Sequence, residues 1–178
     1  MDWRGCLLPL AFPLSLLVIG SWMLKVFERS PTRQPTLSVS PQDSGPDYAQ
    51  APPGTYPTCQ DNPALADLLL AEGRRLGITV KAGQPELPGK DATYRAESGR
   101  LGSIVIKQRP MSPEVRCMLI SHEFIHVLQH LQGDLQGVPP LGWPTVYPDP
   151  MPQEAEAYGH QRRVGYVLTL LQQTERPD

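Results

Sequence analysis

The feature that most constrains the fold is a pair of histidines in the stretch 121–128, SHEFIHVL. Residues four apart lie on one face of a helix, so His122 and His126 can direct their imidazoles at one point. The surrounding helix is expected to begin at Ser112 as N-cap and to end near Gly133, and its side chains are largely apolar. A helix of this composition is largely buried, and buried imidazoles need polar partners. The sequence therefore predicts a central helix that carries a polar site.

A divalent metal ion would satisfy both imidazoles at once. Two histidines one helical turn apart are an arrangement from which tetrahedral zinc takes two of its protein ligands. Glu123 follows His122 directly, so its carboxylate is expected beside the metal, where it can act as a general base toward a metal-activated water. The alternative is a partly exposed amphipathic helix on which two histidines occur without a metal. We expect zinc as the cofactor and Glu123 as a catalytic residue.

Catalytic zinc sites commonly have a third protein ligand and leave one position open to water. His130 lies eight residues beyond His122, about 12 Å along the helix axis, and cannot reach the same ion. The downstream segment 152–160 offers three other candidates: Glu154, Glu156 and His160. Two residues along a helix rotate a side chain by about 200°, so only one of the two glutamates can face the metal. Spacing alone leaves the third ligand open.

HEFIH at 122–126 and EAEAY at 154–158 together resemble the gluzincin branch of the zinc metallopeptidases. In that branch a glutamate on a later helix completes the metal site, often within Glu-x-x-Ala-Asp or Glu-x-x-Ala-Asn. The resemblance implies that Glu154 is the third ligand and that Ala157 occupies the alanine position. Tyr158 replaces the acid or amide, so its phenol is the implied partner of a ligand histidine or of the developing oxyanion. The implied activity is hydrolysis of peptide bonds.

The segments around the two motifs predict an α+β fold, in which a small antiparallel or mixed sheet packs on helices. One helix carries the histidines, and a second carries the downstream ligand. A first helix is expected to begin at Asn62 and Pro63 and to end at Gly77. The helix that carries the downstream ligand is expected to be the last one and to continue to about Thr174. Runs of strand-forming residues predict three strands, at 78–82, 93–97 and 103–108.

Two further segments are expected to line a substrate cleft. The third strand precedes the histidine helix, and as an edge strand it could pair with the main chain of a peptide. The loop 134–151 is long and proline-rich, and its Trp143 and Tyr147 are expected to form a wall of the cleft. Loop aromatics also serve as covers over a core, which is the alternative for this loop.

The cysteines leave two alternatives open. A disulfide between Cys59 and Cys117 would join the start of the domain to its central helix and would imply an oxidising compartment. Alternatively, both cysteines are reduced, and Cys117 is simply buried.

The N-terminal region predicts a membrane segment. From Gly5 to Leu24 no residue is charged, and residues 7–24 approach the length of ~18–20 apolar residues that spans a bilayer. A signal peptide is the alternative, although no small-residue cleavage site follows the apolar run. We therefore expect a transmembrane anchor or signal peptide at 1–29, a disordered proline-rich linker at 30–57, and a zincin-like domain at 58–178. The few flanking positive charges slightly favour a cytoplasmic domain, too weakly to assign the side of the membrane.

A formal net charge of −2 gives no sign of a nucleic-acid-binding surface. The expected partners are a protein or peptide substrate and the membrane, and the expected function is that of a membrane-anchored zinc metallopeptidase. Two alternatives stay open. One is a catalytically inactive protein that keeps a closed, structural zinc site, and the other is a tethered protein that binds partners through its proline-rich segments.

Overall fold

The computed structural model describes residues 45–178. In chain order its elements are α1 (Leu65–Leu76), β1 (Thr79–Ala82), β2 (Ala92–Glu97), β3 (Arg100–Ile106), α2 (Pro113–Gln132), α3 (Pro152–His160) and α4 (Val164–Gln173). The strand order is β1-β3-β2, with β1 parallel and β2 antiparallel to β3. The prediction of an α+β fold with a small mixed sheet packed on helices is confirmed for these residues.

Helix α2 is the centre of the fold. Its first turn is capped by Ser112, whose side-chain oxygen accepts a hydrogen bond from the N–H of Val115 at 3.2 Å. Every residue from Ile120 to His130 is buried, and this stretch makes about three helical turns. The helix is therefore covered on all sides, as predicted, and its polar side chains must find partners inside the protein.

Helix α1 packs closely on α2 and begins later than predicted. A Cβ atom on Gly73 would lie 2.6 Å from the ring of Phe124, so the glycine permits this close approach. The helix begins at Leu65 because Asn62 and Pro63 form a preceding turn, in which the carbonyl of Asn62 accepts from the N–H of Leu65 at 3.2 Å. Gly77 ends the helix with a φ of 100°, as predicted.

The sheet corrects one prediction about the cleft. β3 lies between the other two strands, so the expectation that it is an edge strand is wrong. β3 is the most apolar of the three strands, and its interior position buries Leu101 and Ile104. The edge strand that lies next to α2 is β2.

The last helix is interrupted, where one continuous helix was predicted. Between α3 and α4 the carbonyl of Arg162 accepts from the N–H of Cys59 at 2.9 Å. The N–H of Gly165 donates to the carbonyl of Pro57 at 3.0 Å. These main-chain groups therefore pair with the segment before α1 instead of continuing a helical ladder, and the chain turns between the two helices.

Cys59 and Cys117 form a disulfide, which resolves the alternatives left by the sequence. Both residues are completely buried. The bond ties the segment before α1 to the second turn of α2 across a sequence separation of 58 residues.

Part of the predicted linker contacts the folded domain. Trp143 Nε1 donates to the carbonyl of Tyr48 at 2.9 Å, and the hydroxyl of Tyr166 donates to the carbonyl of Gln50 at 2.9 Å. Tyr48 also packs against the hydrophobic core. Within 45–178, no helix is both long enough and apolar enough to span a membrane. The predicted anchor at 1–29 and the first part of the linker lie outside the described residues.

Candidate metal centre

His122, His126 and Glu154 converge at one point between α2 and α3. Nε2 of His122 lies 3.2 Å from Nε2 of His126, and these atoms lie 3.6 and 3.3 Å from the two carboxylate oxygens of Glu154. One candidate ligand atom from each residue lies within 4.8 Å of the others. Two imidazole nitrogens and one carboxylate oxygen are a donor set that zinc and other transition metals accept. The cluster could therefore hold a metal ion.

The charges around this point favour a cation. The adjacent imidazoles of His122 and His126 hold the pKa of Glu154 well below its ordinary range, so its carboxylate is ionised. Burial opposes a positive charge on His126, but the adjacent carboxylate of Glu154 and the nearby charge of Glu123 outweigh it and raise the His126 pKa. Oε2 of Glu154 is buried without a hydrogen-bond partner among the described residues, and a metal ion would satisfy it.

Gln129 orients the ring of His126. Its amide nitrogen faces two acceptors at 3.0 Å, the carbonyl of Gln153 and a carboxylate oxygen of Glu156. This fixes the amide so that its carbonyl oxygen faces Nδ1 of His126, at 2.7 Å. A carbonyl can only accept, so Nδ1 carries a hydrogen and Nε2 is the nitrogen that is left to bind a metal ion at the cluster. That is the tautomer a metal ligand requires.

The two alternative third ligands lie outside the cluster. The buried carboxylate of Glu156 accepts main-chain hydrogen bonds at 2.7, 2.6 and 2.9 Å from three consecutive loop residues, Leu141, Gly142 and Trp143. His160 donates from Nε2 to the carbonyl of Pro144 at 2.9 Å. Both side chains therefore hold the loop that precedes α3, and of the three candidates only Glu154 faces the histidines.

Glu123 lies in the same cleft as the cluster, with 4% of its surface exposed. Its carboxylate accepts a hydrogen bond at 2.6 Å from the main-chain N–H of Tyr94 on the edge strand β2. Burial raises the pKa of Glu123, and the neighbouring histidines and the Tyr94 N–H only partly oppose this shift. The carboxylate is thus a stronger base than an exposed one, and a strand holds it in place.

Tyr158 lies against the cluster, and its hydroxyl contacts Lys90. Its ring packs on His122 at a centroid distance of 4.4 Å. Lys90, from the segment before β2, donates to the Tyr158 hydroxyl at 2.9 Å and lies 3.9 Å from Oε2 of Glu154. The hydrogen bond with Tyr158 raises the pKa of Lys90, so the ammonium keeps its charge at neutral pH. A phenol and an ammonium therefore lie side by side at the cleft.

His130 takes no part in the cluster and is not a surface residue. Nδ1 of His130 lies 2.7 Å from the hydroxyl of Tyr94, and that hydroxyl accepts from the N–H of Gly102 at 3.3 Å. Burial lowers the pKa of His130 and raises that of Tyr94 to about 12, so both are neutral at pH 7. His130 therefore joins α2 to the sheet.

The two aromatic residues expected in the cleft wall have different surroundings. Trp143 is buried, with 2% of its surface exposed, and belongs to the core. Tyr147 is partly exposed and stacks on Tyr158 at a centroid distance of 4.8 Å. The loop therefore covers the core at Trp143 and approaches the cleft at Tyr147.

Sequence reasoning missed three groups at this site: Lys90, the N–H of Tyr94 and Gln129. Gln129 follows His126 by three residues on a buried helix, and this spacing could have revealed it. No sequence signal marks the other two, because tertiary packing brings Lys90 to α3 and the N–H of Tyr94 to α2.

Comparison of the chain with protein-family models, with curated proteins and with solved structures gives no match. The likeness to gluzincins therefore rests on the residues at 122–126 and 154–158. The structure adds that the two histidines and the glutamate of these segments can hold a metal ion together.

Proposed function

We propose that this protein is a zinc-dependent metallopeptidase. The observation that carries the proposal is the convergence of His122, His126 and Glu154 in a cleft that also contains the buried carboxylate of Glu123. Two imidazoles, one carboxylate ligand and one further carboxylate are the groups that metal-assisted peptide hydrolysis uses. When bound, zinc supplies a Lewis acid and lowers the pKa of water toward ~7.

Glu123 is the general base of the proposed reaction. Its raised pKa brings it closer to the working pH, where a base both accepts and releases a proton efficiently. The N–H of Tyr94 holds one of its oxygens, Oε2, which leaves Oε1 to take a proton from the attacking water. The same carboxylate can later pass that proton to the leaving amine.

Lys90 and Tyr158 are the groups that stabilise negative charge on the substrate carbonyl oxygen. Both line the cleft beside the cluster, and both can donate hydrogen bonds. The ammonium already donates to the phenol, so the two donors are oriented before substrate arrives. Donors that are oriented in advance stabilise developing charge without the cost of reorganisation.

The edge strand β2 is where the peptide substrate is expected to bind. Alternate residues of a strand direct their main-chain groups to opposite sides. The carbonyl of Asp91 accepts from the N–H of Lys107 beyond β3, whereas the N–H of Tyr94 points toward α2. The main-chain groups of Ala92 and the carbonyl of Tyr94 are therefore directed toward the cleft, where an extended peptide could add as a further strand.

The disulfide bears on the location of the domain. Disulfides persist in oxidising compartments and are rare in the cytosol. The completely buried bond between Cys59 and Cys117 therefore favours a domain outside the reducing cytosol. Together with the predicted N-terminal anchor, the disulfide supports a membrane-tethered enzyme whose catalytic domain lies in an oxidising compartment. The small excess of positive charge after the apolar run favours the opposite side, but one disulfide outweighs it.

The test is metal analysis of the purified full chain, followed by a peptidase assay with chelation and zinc restoration. We expect one equivalent of zinc, hydrolysis that a chelator abolishes, and recovery on adding zinc. Glu123→Gln should keep zinc and lose turnover by at least ~100-fold. Glu114→Gln, the same substitution on the same helix outside the cleft, is the control. Zinc binding without any hydrolysis would favour the inactive zinc protein, and absence of zinc would refute both.

A further inference from the structure

We propose that a hollow beside the metal centre binds a large apolar or aromatic side chain of the substrate, an inference that rests on the proposed peptidase function. The hollow has a volume of about 640 Å³. Its walls are mainly apolar and come from the loop before α3 and from α3 itself, with Pro144, Val146, Tyr147, Pro148 and Tyr158 as the apolar residues; Arg162, just after α3, adds one charged side chain. The hollow is separate from the cleft that contains the metal ligands.

Tyr158 is the wall that the hollow shares with the metal cleft. Its ring packs on His122 at 4.4 Å, and it also stacks on Tyr147 at 4.8 Å with an interplanar angle of 19°. A peptide bound at the metal centre would therefore reach the hollow within a short distance. The stacked pair also presents aromatic surface, on which apolar and aromatic side chains pack favourably.

The loop exposes apolar surface at the hollow. Val146, which lines the hollow, is fully exposed, and Tyr147 is 43% exposed. Exposed apolar side chains that lie together commonly mark a binding surface, because leaving them in water is unfavourable. An apolar occupant would remove this surface from water.

The loop is held in place, so its apolar residues are not exposed through loose packing. The Thr145 hydroxyl donates to the carbonyl of Ala155 at 3.2 Å, and the buried carboxylate of Glu156 accepts from the preceding residues. A Cβ atom on Gly159 would lie 2.1 Å from the Thr145 oxygen, so the loop rests directly on α3. Two prolines further restrict the backbone. A site that is formed before binding loses little entropy when it is filled.

The test compares two probes, acetyl-Ala-Ala-Phe-Ala-Ala-amide and the same peptide with serine in place of phenylalanine. Binding is measured by calorimetry on the full chain carrying Glu123→Gln, with zinc added, so that no hydrolysis occurs. We expect the phenylalanine peptide to bind about ten-fold more tightly. The double variant Val146→Ser, Tyr147→Ser should remove this difference, and Val146→Ser alone, which changes only exposed methyl groups, should remove part of it.

Val115→Ser is the matched control, since Val115 is 41% exposed on α2 and lies outside the hollow. It should leave the preference for phenylalanine unchanged. Equal affinity of the two probes for the parent protein, or an unchanged preference in both Val146 variants, would overturn the apolar site. The variants could change the preference for phenylalanine as expected while the wild-type protein hydrolyses no peptide. That result would refute the peptidase function and would still support the apolar site.

Discussion

The side-chain carbonyl oxygen of Gln129 lies 2.7 Å from Nδ1 of His126, and Gln129 is completely buried. The amide thus holds the ring so that its other nitrogen faces Glu154, at 3.3 Å. In the gluzincin pattern an acid or amide on the later helix is the expected support for a ligand histidine, and Tyr158 occupies that position here. In this chain the support comes from the histidine helix itself.

The first prediction concerns this support. Gln129→Leu should weaken zinc binding by about 10- to 100-fold, because the ring of His126 loses the acceptor that fixes its orientation and tautomer. The dissociation constant is measured by competition with a chromophoric chelator. Gln132→Leu, an exposed position on the same helix, should have no effect. An unchanged dissociation constant in Gln129→Leu would show that the ring is oriented without the amide.

The second prediction separates the two glutamates of α3. Glu156→Gln should lower the free energy of unfolding by about 2–4 kcal/mol, because an amide group then faces main-chain donors that a buried carboxylate had satisfied. Glu154→Gln should instead abolish stoichiometric zinc binding, because the cluster loses its carboxylate ligand. Urea denaturation and metal analysis of both variants give the comparison. Loss of zinc in Glu156→Gln together with retention in Glu154→Gln would reverse the ligand assignment.

The third prediction concerns Lys90. Lys90→Met should lower kcat/KM by about 10- to 100-fold, because one donor near the substrate carbonyl and the charge that orients Tyr158 are both lost. Zinc affinity should change much less, since Lys90 is not a ligand. Lys90→Arg keeps the charge and should recover part of the rate. If Lys90→Met instead lost zinc and activity in parallel, the lysine would support the metal site and not the substrate.

The fourth prediction concerns the disulfide. Replacing Cys59 and Cys117 together with serine should lower the free energy of unfolding by about 2–5 kcal/mol, because the unfolded chain gains the freedom of a long loop. Adding reductant to the wild type should likewise lower the midpoint of its thermal unfolding. The reductant should leave the double variant unaffected. Equal unfolding midpoints for oxidised and reduced wild type would show that the bond contributes little to stability.

The sequence by itself determined the elements and relations that depend on short-range geometry. His122 and His126 share a face because helical rotation per residue is constant, and the burial of α2 followed from its apolar composition. The cap at Ser112 and the stop at Gly77 are likewise local properties of the chain. The α+β class followed from the succession of such segments.

Only the tertiary structure decided which distant groups meet. Packing of α3 on α2 places Glu154 at the histidines and Glu156 at the loop, although the two glutamates lie only two positions apart in the sequence. The position of β2 beside α2 delivers the N–H of Tyr94 to Glu123, a contact that no local pattern encodes. Strand order and the closure of the disulfide are relations of the same kind. Strand order and disulfide pairing depend on how whole elements pack, because the two partners of each contact lie far apart in the chain.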